Sequence, residues 1–351
     1  METVNIEGRE VNFEIEQTNF PQLLNFAKNA LLSACKGNKI FSYFKQITFV
    51  FKDEYDQKEI NMDLIRAFRE DHIGGGSHVS PHDIVKRLNR IYIALDSLIA
   101  SVEDIHLSMW GIVPISDRRF IREAYKQLYN SAVHEAAHLW HINKNIALNR
   151  LPKVIARLEK SVGKLNEELR KYGGSERIAS LLILLKGYVN AFTSNILLEG
   201  LALYFEKIEK YSISKEHFDA LHSVAKRTIN ETMIYLANAI ATFRRVVSEH
   251  RAILRESDII TIRESYEPLR SAPYGVGIHM LYTLLYTEPT MNIEKIAGFN
   301  FAEFIVIYER CCAKLGIRPL VSLTSRRGIF DYKRVLRDLE RLEILIKRLN
   351  L

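Results

Sequence analysis

Hydrophobic and polar positions alternate first at Val11-Asn12-Phe13-Glu14-Ile15, the period-two pattern of a strand with one buried face. Pro21 then opens an apolar, helix-like run through Ala34. Ile47-Thr48-Phe49-Val50-Phe51, β-branched and aromatic, predicts a second strand. Gly74-Gly75-Gly76-Ser77 reads as a linker, since no Gly-Lys-Ser/Thr follows to make a phosphate loop. Between Pro81 and Ser101 the apolar positions Ile84, Leu88, Ile91 and Leu95 recur at spacings of three and four, predicting a helix. The periodicity fails around Ile105 to Ile115, where Trp110, Gly111 and Pro114 predict an extended segment that could hold a substrate backbone by strand addition.

Beyond residue 116 the period is helical throughout. Ser116-Asp117 can cap a helix running through Tyr125 and Tyr129 into residue 134. Pro152 to Lys171 carries Val154, Leu158, Val162, Leu165 and Leu169 on one face and ends in Tyr172-Gly173-Gly174-Ser175, a stop followed by a new start. A more buried helix begins at Ile178. From Lys215 onward the pattern stays helical, with breaks expected at Pro268, Pro273, Pro289, Gly316 to Pro319, and Gly328. The last helix, Asp331 to Leu351, bears a stripe of Leu336, Leu339, Leu342, Leu345 and Leu349, a packing face too short for a coiled coil. The pattern divides the chain into an N-terminal α+β segment (1–75), a helical core with an inserted hairpin (76–210) and a C-terminal helical lobe (211–351). The expected class is mainly α (α+β), with a small N-terminal sheet and a large helical part.

Composition narrows the function without naming it. At 351 residues, 47% hydrophobic and 26% charged, the chain can bury a substantial core. The net charge of +7 is spread in short clusters such as Arg118-Arg119 and Ser325-Arg326-Arg327, with no motif for DNA or RNA, so a solvated basic surface is expected and no nucleic-acid partner. Three cysteines (Cys35, Cys311, Cys312) cannot build a disulfide framework. The N-terminal residues show no basic start followed by an apolar run. The most apolar stretch, Ile178 to Phe192, is interrupted by Lys186 and Asn190 and reads as too short to span a bilayer. The expectation is a cytoplasmic protein without a membrane span.

The chemistry concentrates at His134-Glu135-Ala136-Ala137-His138. Residues four apart on a helix lie one above the other, so the two imidazoles can hold one Zn²⁺ while Glu135, about 100° round, reaches a water on it. Zinc held by two histidines needs a third ligand and an open position. Glu199, a charge among aliphatic neighbours in Ile196-Leu197-Leu198-Glu199-Gly200-Leu201-Ala202-Leu203-Tyr204-Phe205-Glu206, is the natural candidate, because a buried carboxylate demands a cation. Gly200 and Ala202 lack bulk, so this helix is expected to approach the His134 helix closely. His141 extends the histidine face, but the sequence lacks the Gly and third His of an all-histidine zinc signature, so it reads as a packing histidine.

These residues resemble the gluzincin metallopeptidases. The His-Glu-x-x-His motif is followed by Glu199-Gly200-x-Ala202-x-Tyr204, similar to the family's E-G-x-A-x-Y, and by Pro273-Tyr274-Gly275-Val276-Gly277, similar to its P-Y-x-x-G segment. The resemblance covers roughly positions 105 to 285. It implies a zincin-like fold with the His134 helix in the active-site cleft. It also implies Zn²⁺ on His134, His138 and Glu199, and a Tyr274 hydroxyl facing the scissile carbonyl. Two departures stand out. Thermolysin-type members place an Asp four residues after the Glu ligand to orient a histidine, and here that position is Leu203, leaving Glu206 or Asn195 to do so. The aminopeptidase G-x-M-E-N signature is absent. The stretch between His138 and Glu199 would be an inserted hairpin able to act as a lid.

The expected activity is therefore zinc-dependent hydrolysis of peptide bonds in a peptide or protein substrate, with Glu135 as general base and acid. Tyr274 is the first choice for the oxyanion donor and His279 the second. Two other readings compete. A di-iron carboxylate bundle would use Glu135-Ala136-Ala137-His138 and Glu103-Asp104-Ile105-His106, but leaves His134 and Glu199-Gly200 unexplained. A helical regulatory or interaction protein with a structural zinc site suits the charge and the terminal helix but has no use for Glu135.

Overall fold

The computed structural model describes residues 1–16, 21–52, 77–78, 88–95, 98–99, 102, 117–145, 175–209, 212–249, 254–324 and 328–348. Its elements, numbered among those residues, begin with β1 (Glu2–Ile6) and β2 (Arg9–Ile15), joined by a tight turn at Glu7-Gly8, where both residues take positive φ. Then come α1 (Pro21–Gly37), β3 (Gln46–Lys52), β4 (Ser77–His78), β5 (Arg90–Ala94) and α2 (Arg118–Lys144). After α3 (Ser175–Leu203) follow α4 (Lys215–Ser248), α5 (Glu256–Glu264), α6 (Tyr266–Thr287), α7 (Ile293–Ala297), α8 (Phe301–Leu315), β6 (Val321–Ser322), β7 (Phe330–Asp331) and α9 (Tyr332–Arg348). The fold is mainly helical with a small mixed N-terminal sheet.

Contacts divide the chain into two units, residues 1–159 with 202–210, and residues 160–201 with 211–351. This differs from the three consecutive segments expected from the sequence. The first unit holds a sheet of order β1-β2-β3-β5-β4, in which β2, β3 and β5 are parallel and the two edge strands antiparallel. The sheet therefore runs past residue 75 and takes in residues expected to be helical. Arg90-Ile91-Tyr92-Ile93-Ala94 is a strand because it lies inside the sheet with Ile91, Tyr92, Ile93 and Ala94 all buried. Such a strand is apolar on both faces and loses the alternation that marks a half-exposed one. The expected linker at 74–76, the extended segment at 105–115 and the hairpin helix at 152–171 lie outside the described residues.

Helix α2 starts as expected, with the Asp117 side chain accepting from the Arg119 amide. It packs on α1, where Phe26 meets Tyr125 edge-on and Gly37 leaves room for the Tyr129 hydroxyl.

In the second unit α6 packs along the long helix α4 and against α8. Of the two breaks expected here, the one near Pro268 holds: α5 ends at Glu264 and α6 begins at Tyr266, with Pro268 in the first turn of α6, where an amide hydrogen has no intrahelical partner to lose. The break expected at Pro273 does not occur. Pro273 lies inside the helix, which continues through it. The missing bond costs about 3 kcal/mol, offset by burial of Leu269, Ala272, Pro273 and Val276 around it. The stops at Pro289 and Gly316 do hold, the latter a left-handed cap with φ 66° that closes α8. Helix α8 opens on a reciprocal capping box of Asn300 and Glu303.

Candidate metal centre

Helix α2 presents His134 and His138 one turn apart. Their Nε2 atoms lie 3.0 Å from each other, with the rings perpendicular. The other nitrogen of His134, Nδ1, is 3.3 Å from Glu206 Oε2. A carboxylate can only accept, so Nδ1 carries a proton, and in the neutral ring Nε2 keeps its lone pair. At 3.0 Å the two Nε2 atoms need a proton or a cation between them. Glu135, between the histidines in sequence, is only 5% exposed.

Glu199 supplies the third donor. One ligand atom from each of His134, His138 and Glu199 falls within 4.8 Å of the others, so the group could bind a metal ion. Two imidazoles and one carboxylate form a donor set that suits zinc, with bonds of about 2 Å to each. Glu199 and Glu206 are seven residues apart, close to two full turns, and so share a helix face. The helix widens at its end: Glu209 N–H bonds the Tyr204 carbonyl at 2.9 Å, five residues back, a π-helical turn over Tyr204–Ile208. Of the two expected orienting candidates, Glu206 reaches His134. Its signal was a carboxylate on the same face as Glu199; nothing in the sequence marked the π-turn that carries it.

The expected close approach of Gly200 to the His134 helix is not what this glycine serves. A Cβ on Gly200 would stand 2.6 Å from the Gly277 carbonyl oxygen, and one on Gly277 would stand 2.1 Å from the Ile196 carbonyl oxygen. Helices α3 and α6 thus cross backbone to backbone, and the Glu-Gly and Pro-Tyr-x-x-Gly segments meet through their glycines. Tyr274, one turn before Gly277, is 39% exposed.

His279 lies about 200° round α6 from Gly277, on the opposite side of the helix. It is 0% exposed and sits among Phe218, His222 and Tyr308, with Nε2 3.3 Å from His222 Nδ1 and 3.5 Å from the Tyr308 hydroxyl. Burial, reinforced by the neighbouring His222, pushes its pKa down to about 3. An imidazole so enclosed belongs to the core of the second unit. The signal that made it a candidate was its place just after Pro273; its apolar helix marks a core histidine, and Tyr274 and His279, about 140° apart round α6, do not share a face. His141 is likewise buried, as a packing histidine should be.

The apolar stretch judged too short to span a bilayer is longer than its sequence punctuation implied. Arg177–Ile208 is one continuous helical run, of mean hydropathy 1.5 over its best window, long and apolar enough to cross a membrane by length and composition alone. Lys186 is accommodated without a break, paired with Glu343 at 3.1 Å. Slightly over half of the apolar window is buried within the chain, as in the core helix of a globular fold, and it is weak evidence for a span. Comparison with family models, curated proteins and solved structures finds no match.

Proposed function

We propose that this chain is a zinc-dependent peptidase of gluzincin-like type with a zincin-like fold. One observation carries the reading: a donor atom from each of His134, His138 and Glu199 lies within 4.8 Å of the other two. The tautomer that Glu206 imposes on His134 and the perpendicular set of the two rings support it.

Zinc held by His134, His138 and Glu199 supplies Lewis acidity and brings the pKa of water down to about 7. The chain's own groups do the rest. Glu135, largely withdrawn from solvent, accepts the proton of the attacking water and returns it to the leaving amine. Tyr274 donates its hydroxyl to the developing oxyanion.

The test is metal content. Purified protein is expected to hold about one zinc per chain, weakened or lost in Glu199→Ala. A peptide library should then be cleaved by the wild type and not by Glu135→Gln. Absence of zinc, or zinc indifferent to residue 199, sinks the assignment.

A further inference from the structure

Glu267, Arg270 and Tyr274 follow one another on α6 at spacings of three and four, so they line one flank of the helix. Their exposures differ. Tyr274 is 39% exposed and the Glu267 side chain 44%, whereas the Arg270 side chain is only 8% exposed. Arginine is rarely buried so deeply, because its cation gives up water and must be compensated by the protein. Part of that compensation is Glu267, whose Oε2 stands 2.7 Å from Nη2 of Arg270. With Glu267 itself open to water, the pair stands at the edge of the unit rather than deep in its core. Position 270 also precedes Gly277 by seven residues, close to two full turns, and so lies on the face that Gly277 turns to α3. The cation is therefore set low on the flank, on the side where α3 carries Glu199, one turn before the half-open ring of Tyr274.

We infer that Arg270 is the specificity residue of the proposed peptidase: its guanidinium binds a carboxylate on the leaving-group side of the scissile bond. The inference rests on the peptidase reading, with Tyr274 at the scissile carbonyl, and deepens it by naming the substrate class. Long side chains on a helix lean toward its N-terminus, so the Tyr274 hydroxyl and the Arg270 fork are displaced alike and keep a separation of about 6 Å along the axis. A peptide residue spans about 3.3–3.6 Å. One to two residues beyond the scissile carbonyl thus bridge that separation. A peptide that ends there places its free C-terminal carboxylate at the guanidinium, whose planar fork matches it in shape and charge. A guanidinium carries five N–H donors, more than a single carboxylate takes up. The chain end lies only on the leaving-group side, so the preferred substrates are peptides shortened from the C-terminus. An acidic side chain at the same place offers the same group, and the experiment separates the two sources.

The probes are three libraries of N-acetylated hexapeptides: one without acidic residues and with a free C-terminal carboxylate, the same set as C-terminal amides, and an amidated set with one internal Glu. Cleavage by zinc-loaded protein is followed by mass spectrometry. The wild type is expected to release one or two C-terminal residues from the free-acid library about 10²-fold faster than it cuts the plain amides. Arg270→Met should lose that preference while keeping its zinc and its rate on the amides. An arginine with a merely structural role would change all rates together and leave the ratio intact. If Arg270→Met does not fold, Arg270→Lys, which keeps the cation without the planar fork, is read the same way and should show a reduced ratio. Preference for the Glu library, lost in the variant, keeps Arg270 as the carboxylate site and assigns its ligand to a side chain. A wild type that cuts all three libraries alike, or a variant with the wild-type ratio, overturns the inference and leaves the peptidase reading standing. A wild type that cuts none of them overturns both.

Discussion

Gly200 and Gly277 face each other with no side chain between them, so that the Glu199 helix and the Tyr274 helix touch through their backbones. The contact places residue 199 directly beside the crossing point and residue 274 about one turn from it. Gly277→Ala puts a methyl 2.1 Å from the Ile196 carbonyl oxygen, which is main chain and cannot swing aside. The helices must part, at a cost of about 1–3 kcal/mol, as in other overpacked cores. Urea titration should show that loss, and zinc affinity should fall with it. A Gly277→Ala protein of wild-type stability would mean that the crossing is looser than drawn.

Gly187 makes the contrasting case on the same helix. A Cβ there meets nothing within 4 Å. Gly187→Ala relieves only the conformational freedom of the unfolded chain and improves helix propensity, so a gain of about 0.5–1 kcal/mol is expected in the same titration. Zinc affinity should not change. Destabilisation would show that helix α3 needs something other than propensity at this position.

Acid should loosen the second unit through His279. Its folded pKa of about 3 lies well below that of an exposed imidazole, because burial and the adjacent His222 disfavour the cation. The unfolded chain therefore binds the extra proton first. The contribution of His279 to stability is complete above about pH 6.5 and declines as pH falls toward 3, by up to about 1.4 kcal/mol per unit. His222, half-buried, shifts the same way through burial and Lys226, with Asp219 opposing. Denaturation midpoints between pH 7 and 4 should fall more steeply for the wild type than for His279→Leu. Parallel curves would place the acid-sensitive group elsewhere.

How far the sequence reached differs by element. The three converging donors were legible because each spacing has a mechanism: i,i+4 for the histidines, a lone carboxylate in an apolar helix for Glu199. The β2 and β3 strands were legible from alternation or β-branched content. Arg90–Ala94 was not, because burial on both faces erases the alternation. Pro273 was read as a stop, since local chemistry says so, and only tertiary packing of α6 overrides it. The partner of Gly200 was misassigned for a related reason. A small residue announces that something comes close, but not what. The π-turn had no signal, being held by Asn38 and by rings that sequence places far away.

Tyr274 remains the residue on which the peptidase reading is most exposed. It stands on α6 one turn ahead of the Gly277 crossing, with a ring partly open to solvent, as a group that meets substrate must be. In that reading its hydroxyl serves the reaction only in the transition state, when charge develops on the carbonyl oxygen. Tyr274→Phe should therefore lower kcat by about 10²–10³ while leaving KM within a small factor. The melting temperature and zinc content should stay at wild-type values, because the ring is kept and Tyr274 is not one of the three metal-donor residues. Equal loss of stability and activity would mark it as a packing tyrosine. Unchanged turnover would remove it from the mechanism and require an oxyanion donor from some other element.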